Sequence, residues 1–369
     1  MQLTLRLEDL VAATSRPVEK KGVVYTRDWV VDLMLDLAGY RSSQNLASCL
    51  AVEPAAGAGA FFLPMVRRLI NSCQTHGVPL SATSNSLRAY ELDPATAAAL
   101  RTASQKELFA AGASNEEANA IAQHWITTGD YLMEAPLARR ADFVVGNPPY
   151  IRYDDLPEGL LTTYRTMYHT MRDRGDIYVG FFEAALSQLL SGGVCALICA
   201  DRWMLNAYGS ELRRFISKSF SVEAVIEMHN APAFEDDVSA YPAIVVIRRA
   251  PQKSAVVASA GPAAGSIPDG SVADVLRDLA RGTPKRVDLP GFRATTTDHW
   301  FKGKEPWPCT SPERLALLQR LEGLFSPLED HTSGTKVGIG VASGADRVFV
   351  TTDQELVEHD RLLPLVLLC

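Results

Sequence analysis

Two hydrophobic periods alternate along this chain, and the switches between them mark its elements. In Asp28-Trp-Val-Val-Asp-Leu-Met-Leu-Asp-Leu-Ala38 the apolar residues recur at helical spacing. Asp28, Asp32 and Asp36 fall on another face, and Gly39 follows as a stop signal. Short apolar runs then alternate with amphipathic ones. Leu46–Val52 reads as a strand that ends at Glu53-Pro-Ala-Ala-Gly-Ala-Gly59, and Phe61–Cys73 as a helix. Leu87–Glu91 is a strand, and Pro94 opens an alanine-rich helix. His124–Thr128 reads as a strand ending at Gly129-Asp130, and Ala141–Val145 as one ending at Gly146-Asn147-Pro148-Pro149-Tyr150. A helix over Asp176–Leu190 precedes strands at Val194–Ala200, Val222–Met228 and Ala243–Arg248. This order predicts an α/β fold with a largely parallel sheet covered on both faces. In such sheets ligands bind at the carboxyl ends of the strands, which is where Glu53–Gly59, Glu91, Asp130 and Asn147–Tyr150 fall.

From Pro251 to Pro268 no period survives, and the stretch reads as a linker or surface loop. Ser311–Phe325 has helical spacing, and Lys336–Val350 reads as a hairpin turning at Ser343-Gly-Ala-Asp346. The apolar end Leu362–Cys369 is expected to be either a buried terminus or the beginning of a domain cut short.

With 369 residues, 47% hydrophobic and 21% charged, the chain is globular in composition and long enough for two or three domains. Its formal net charge of −7 excludes coating of nucleic acid by bulk positive charge, so any such contact must be local. The six cysteines, Cys49, Cys73, Cys195, Cys199, Cys309 and Cys369, show no C-x-x-C spacing, so no metal site is expected. Cys195 and Cys199 read as core residues of a strand. Charges interrupt the first ten residues, and no apolar run approaches the roughly 18 needed to span a bilayer. The expected setting is cytoplasmic, with no membrane partner.

The glycine-rich turn Glu53–Gly59 lets a ligand approach the backbone closely. It lacks the Lys-Ser/Thr of a P-loop, and Phe62 breaks the G-x-G-x-x-G dinucleotide spacing. Glu91, ending the second strand, is placed to bind ribose hydroxyls, although alone it is equally a solvated loop carboxylate. Asp130 is placed to accept from an adenine amino group, or else to cap a turn. Asn147-Pro148-Pro149-Tyr150 is the most specific signal. Two prolines fix φ and remove two donors, and Asn147 is driven to an extended conformation because it precedes proline. The Asn147 side-chain oxygen and the Pro148 carbonyl are then two acceptors for the two hydrogens of one exocyclic amine. Tyr150 adds an aromatic face on which a planar base can stack.

In this order, Gly57-x-Gly59, Glu91, Asp130 and Asn147-Pro-Pro-Tyr150 resemble the gamma-class S-adenosylmethionine-dependent adenine-N6 DNA methyltransferases of the TaqI type. Gly22-Val-Val-Tyr-Thr26 resembles that family's N-terminal cofactor motif, and Asp176–Glu183 and Gly192–Trp203 resemble its later motifs. Ala233-Phe234 with Ala243–Ile247 resembles its last strand pair. The likeness covers about residues 20 to 250 and, weakly, 335 to 366. It implies a Rossmann-like class I methyltransferase with a mostly parallel seven-stranded sheet and a small C-terminal segment. The implied domains are a catalytic one at 1–250, a linker and helical connection at 251–334, and the incomplete start of a target-recognition domain at 335–369.

The resemblance also implies roles. Thr26, Glu53, Ala55, Gly57 and Phe61 would line the methionine and sugar end of S-adenosylmethionine. Glu91 would bind its ribose, Asp130 its adenine amino group, and Leu92 would pack on the ring. Asn147, which would also border the cofactor, and Pro148 would accept from the target amine, and Tyr150 and Phe234 would hold the flipped base. Implied partners are double-stranded DNA and a specificity or restriction subunit. An RNA base amine, a protein glutamine amide, or a non-catalytic DNA-binding role are the alternatives. The family's N-terminal motif usually reads Thr-Pro; here Thr26 precedes Arg27. Arginines around the loop (Arg139, Arg140, Arg152, Arg165, Arg172, Arg174, and later Arg202, Arg213 and Arg214) read either as phosphate contacts or as a mixed solvated face.

Overall fold

The computed structural model describes residues 25–235, 241–266, 271–282, 286–297, 301–307 and 312–326, with positions 329, 334 and 335. The expected hairpin at 336–350, the apolar end, residues 22–24 of the N-terminal motif and most of the expected recognition segment lie outside them. Contacts divide the chain into Met1–Ala316 and Leu317–Cys369. The sheet and the candidate site belong to the first unit. Of the second, the structure describes mainly the remainder of a helix that ends at Leu324.

Strands β1 (Ala51–Glu53), β2 (Leu87–Glu91), β3 (Ile126–Thr128), β4 (Ala141–Gly146), β5 (Leu189–Ala200), β6 (Ser221–Glu227) and β7 (Pro242–Arg248) lie in the order 3-2-1-4-5-7-6. Among these only β7 runs against its neighbours. The structure corrects the expectation of a mostly parallel seven-stranded sheet: the sheet is mixed and continues past seven strands. It has ten, because β8 (Ala255–Ala260) pairs parallel with β6, and β10 (Phe292–Thr297) pairs antiparallel with β8 and with β9 (Arg286–Leu289). The stretch expected as a linker and helical connection thus widens the sheet and carries α8 (Ser271–Ala280) between its strands.

Helices α1 (Asp28–Ala38), α2 (Phe62–His76), α3 (Pro94–Ala110), α4 (Asn115–Trp125), α5 (Glu158–Met167), α6 (Ile177–Gln188) and α7 (Ser210–Ser219) connect or flank the strands. Strand periodicity sorts the core into two layers. Val194, Ala196 and Ile198 of β5 face the layer containing Val30, Phe62 and Trp125. Cys195, Leu197 and Cys199 face the layer containing Tyr131, Phe182 and Trp203. Both cysteines are fully buried and burial pushes their thiols up, as inert core residues require. The acidic face of α1 is not simply solvated: Asp32 and Asp36 clamp Arg68 of α2 at 2.8 and 2.7 Å. Gly39, at φ +86°, ends α1 in the left-handed conformation.

Candidate active site

Apart from Thr26, which lies just before α1, each site residue is delivered by a strand's carboxyl end or by the loop that leaves it. At the end of β1 the chain turns sharply through Gly57 (φ +51°) and Gly59 (φ +97°). A Cβ on Gly59 would lie 2.5 Å from Leu100 Cδ1, so the turn is closed to larger residues by packing as well as by φ. The Ala56 N–H donates to the Tyr90 carbonyl at 2.9 Å, and the Gly57 N–H to Glu91 Oε2 at 2.8 Å. Glu91 Oε1 accepts the Asp93 N–H at 2.8 Å. The carboxylate expected to face a ribose therefore also braces the turn beneath it, with lone pairs to spare on each oxygen.

Glu53 is 2% exposed, and its Oε2 is buried with no hydrogen-bond partner among the described residues. Burial pushes this carboxyl well above the usual range and the neighbouring Glu91 adds to the rise, while the Phe62 backbone opposes it. Its proton is held more tightly in the folded chain than in the unfolded one. The associated stability is complete below the unfolded value of about 4.3 and is lost as pH rises towards the folded value. Glu53→Gln, which stays neutral, is expected to match the parent's melting temperature in acid and to exceed it progressively at neutral pH and above. Thermal melts of the ligand-free chain from about pH 4 to about pH 9 check this; parallel curves would contradict it.

Asp130 follows β3. Its Oδ1 accepts the Leu132 N–H at 2.9 Å, and its Oδ2 accepts the Tyr164 hydroxyl from α5 at 2.6 Å. Burial raises this carboxyl and the Tyr164 bond opposes the rise. Asp130 therefore caps the turn that follows β3, the alternative that the sequence left open beside a ligand role. Leu92 is partly buried against the second core layer, whereas the Phe61 side chain, 1% exposed, is packed into the first.

The end of β4 abuts the β1 turn: a Cβ on Gly146 would lie 3.2 Å from Pro54 and 3.4 Å from Glu53. This contact sets Asn147-Pro148-Pro149-Tyr150 beside the glycine turn. Asn147 Nδ2 donates to Thr26 Oγ1 at 3.2 Å, which orients its amide. Tyr150 meets Phe234 edge-to-face, with ring centroids 6.4 Å apart and planes at 84°. Thr26 in turn forms a β-bridge with Phe234. Residues 121 and more positions apart in sequence are thereby gathered at one place.

Among the arginines read as candidate phosphate contacts, Arg213 is 2% exposed and donates to the carbonyls of Trp203, Asn206 and Lys304, so it serves the fold. Arg152 pairs with Asp154, Arg214 with Glu211, and Arg165 donates to the Asp173 carbonyl. Arg202 lies over the Tyr241 ring at 4.5 Å. Close by, His229 bonds Asp201 at 2.8 Å and approaches Glu227 at 3.4 Å, a pairing that raises its pKa. Sequence reasoning missed Tyr164 and Trp29, and noted Arg27 only as a departure from the family's Thr-Pro. Tyr164 carries only the signal of an aromatic on an apolar helix face, and Trp29 carries none. Among the described residues no cluster of metal-binding side chains occurs, and no helix is long and apolar enough to cross a membrane.

Residues 84–234 match the family described as Eco57I restriction-modification methylase. The chain is 40% identical over 359 residues to the Type II methyltransferase M.PaeR7I of Pseudomonas aeruginosa, an alignment covering 96% of this chain and 61% of that protein. It is 37% identical over 360 residues to M.XhoI of Xanthomonas vasicola, covering 94% and 63%. The chain thus spans somewhat under two thirds of the length of these relatives. Among solved structures, the type IIG restriction endonuclease BpuSI aligns with a TM-score of 0.54 at 14% identity, over 79% of this chain and 33% of that one. The M protein of the type I restriction enzyme EcoKI aligns with a TM-score of 0.51 at 11% identity, over 96% and 78%. These structures share the fold.

Proposed function

We propose that this chain transfers a methyl group from S-adenosylmethionine to the exocyclic N6 amine of an adenine flipped out of duplex DNA, within a restriction-modification system. The observation that carries this reading is the joining of Asn147–Tyr150 to Thr26 on one side and to Phe234 on the other, against the glycine turn. The identity to Type II methyltransferases supports DNA as the substrate.

The residues present fit the cofactor. Glu53 offers a buried carboxyl oxygen with no partner among the described residues, and a cationic group placed beside it would favour its ionised form. Thr26, Glu53, Ala55, Gly57 and Phe61 would line the methionine and sugar end, with Phe61 contributing from a buried position. Glu91 would hold the ribose, Asp130 the adenine amino group, and Leu92 would pack on the ring. When bound, S-adenosylmethionine supplies an electrophilic methyl group on a sulfonium.

The protein's own contribution is at the amine. An adenine amino group is a poor nucleophile because its lone pair is delocalised into the ring. Asn147 and Pro148 accept its two hydrogens, which favours a tetrahedral nitrogen and stabilises the positive charge that develops there. Tyr150 and Phe234 hold the base in place, and fixing its orientation supplies much of the rate. No base is needed beforehand, because the proton becomes acidic only as the new bond forms. Extruding the base from a duplex costs a few kcal/mol, offset by contacts in the pocket.

In this reading the catalytic domain at 1–250 is extended by the strands of 251–334, and 335–369 begins a target-recognition part. A specificity or restriction subunit completes the system, which operates in the cytoplasm. Assays that offer labelled cofactor with duplex DNA, RNA or a glutamine-containing protein test the substrate class. Label in DNA is expected. Label confined to RNA or protein would replace this reading with another amine methyltransferase.

A further inference from the structure

Residues 25–29 and 232–235 run side by side in opposite directions. The Arg27 N–H donates to the Ala233 carbonyl at 3.0 Å, and the Glu235 N–H to the Tyr25 carbonyl at 3.0 Å. Arg27 Nε donates to the Phe234 carbonyl at 2.8 Å, and Trp29 Nε1 to the Pro232 carbonyl at 3.1 Å. Arg27 Nε also lies 3.8 Å from Glu235 Oε2, a half-exposed pair that is screened by solvent. Arg27 therefore contributes one bond to the Ala233 carbonyl and one, from its charged guanidinium, to the Phe234 carbonyl, fixing the backbone on both sides of Phe234.

Arg27 occupies the position where the family it resembles usually has proline. Its φ of −67° and ψ of 148° are values that proline itself adopts. Thr26, in an extended bridge, suits a residue before proline. The backbone path is thus the one proline would impose, but a proline here has no N–H for Ala233 and no guanidinium for Phe234.

We propose that Arg27 is a positioning residue for the target base: it holds Phe234 in register against Tyr150 and ties this aromatic pair to the strand whose Thr26 orients Asn147. The inference rests on the reading of Asn147, Tyr150 and Phe234 as the base pocket. Arg27 touches neither base nor cofactor; it acts through the Phe234 carbonyl. The φ of Arg27 suits proline, but a proline Cδ would point at the Ala233 carbonyl that the Arg27 N–H now reaches at 3.0 Å, so Arg27→Pro removes both donors and also pushes the two segments apart.

The test compares the parent chain with Arg27→Lys, Arg27→Ala and Arg27→Pro, reading both amide hydrogen exchange and methyl transfer to unmethylated duplex DNA. Exchange across residues 232–235 is expected to quicken in the order Lys, Ala, Pro. The turnover number for transfer is expected to fall by about tenfold in the alanine variant, the scale of one hydrogen bond to a charged group. It should fall further in the proline variant and recover in part with lysine. Cofactor affinity and melting temperature should stay near the parent's in the lysine and alanine variants, which keep the backbone bond to Ala233. Unchanged exchange at 232–235, or turnover unchanged in the proline variant, would overturn the role of Arg27 alone. A general loss of melting temperature and cofactor affinity in all three variants would show a merely structural role. A parent chain that binds cofactor and methylates no DNA would instead overturn the base-pocket reading beneath it.

Discussion

Asn147→Ala is expected to reduce methyl transfer by about 10²–10³-fold while leaving cofactor affinity within a few-fold of the parent, because the lost acceptor serves the amine as it becomes cationic. The loss should fall on turnover, since the interaction strengthens only as charge develops. The substitution also removes the partner of Thr26 Oγ1, a buried residue that itself forms the bridge to Phe234, so a modest loss of melting temperature is expected beside the loss of transfer. Single-turnover rates with saturating cofactor, beside calorimetric cofactor binding, check this. A variant that transfers methyl groups at the parent rate would remove Asn147 from the chemistry. A variant that loses cofactor binding in parallel would make it a cofactor ligand instead.

The second large effect is expected at Glu91. Glu91→Ala removes the carboxylate proposed to hold the ribose and also releases the Gly57 and Asp93 N–H groups that it braces at 2.8 Å each. Hydrogen bonds to a charged group contribute about 1.5–3 kcal/mol, so cofactor affinity should fall by about 10–100-fold. Turnover at saturating cofactor should change much less than in Asn147→Ala. Glu91→Gln keeps one acceptor oxygen and is expected to lie between parent and alanine. Titration calorimetry with S-adenosylmethionine and with its demethylated product separates these cases. Equal affinity in parent and alanine variant would mean that Glu91 only supports the turn.

Much of the fold is legible in local pattern. The helix at Asp28–Ala38 and the strand at Leu87–Glu91 coincide with the apolar spacing and its stop signals. Where prediction and structure part, a non-local interaction decides. The run at 46–52 is a single tight turn at Leu46–Ser48 followed by a three-residue strand, because the Leu46 N–H is taken by Ser72 of a distant helix. His124 and Trp125 belong to α4, not β3, since Trp125 is buried against Phe62 and donates to the Thr83 carbonyl. Ala255–Ala260 sits among glycine, proline and serine and shows no alternation, because both of its faces are buried and its partners are β6 and β10. A strand of this kind is defined by the sheet that receives it.

The candidate site divides in the same way. Glycine turn, acidic strand ends and Asn-Pro-Pro-Tyr are short contiguous patterns whose chemistry is readable residue by residue. Their assembly is not, because it depends on Gly146 packing against Pro54 and on Thr26 reaching both Asn147 and Phe234. Tyr164 bonding Asp130 and Arg27 bonding Phe234 link positions 34 and 207 residues apart, which no local pattern announces. The buried Arg213 is the converse: an arginine that reads from sequence either as a phosphate contact or as part of a solvated face is consumed by backbone carbonyls.

The identity of the methylated nucleoside tests the central claim most directly. Unmethylated duplex DNA is incubated with the chain and isotopically labelled S-adenosylmethionine, digested to nucleosides and resolved by mass spectrometry. The expected result is labelled N6-methyldeoxyadenosine, absent when Asn147→Ala replaces the parent. Label on cytosine, or no labelled nucleoside from a chain that binds the cofactor, would contradict it.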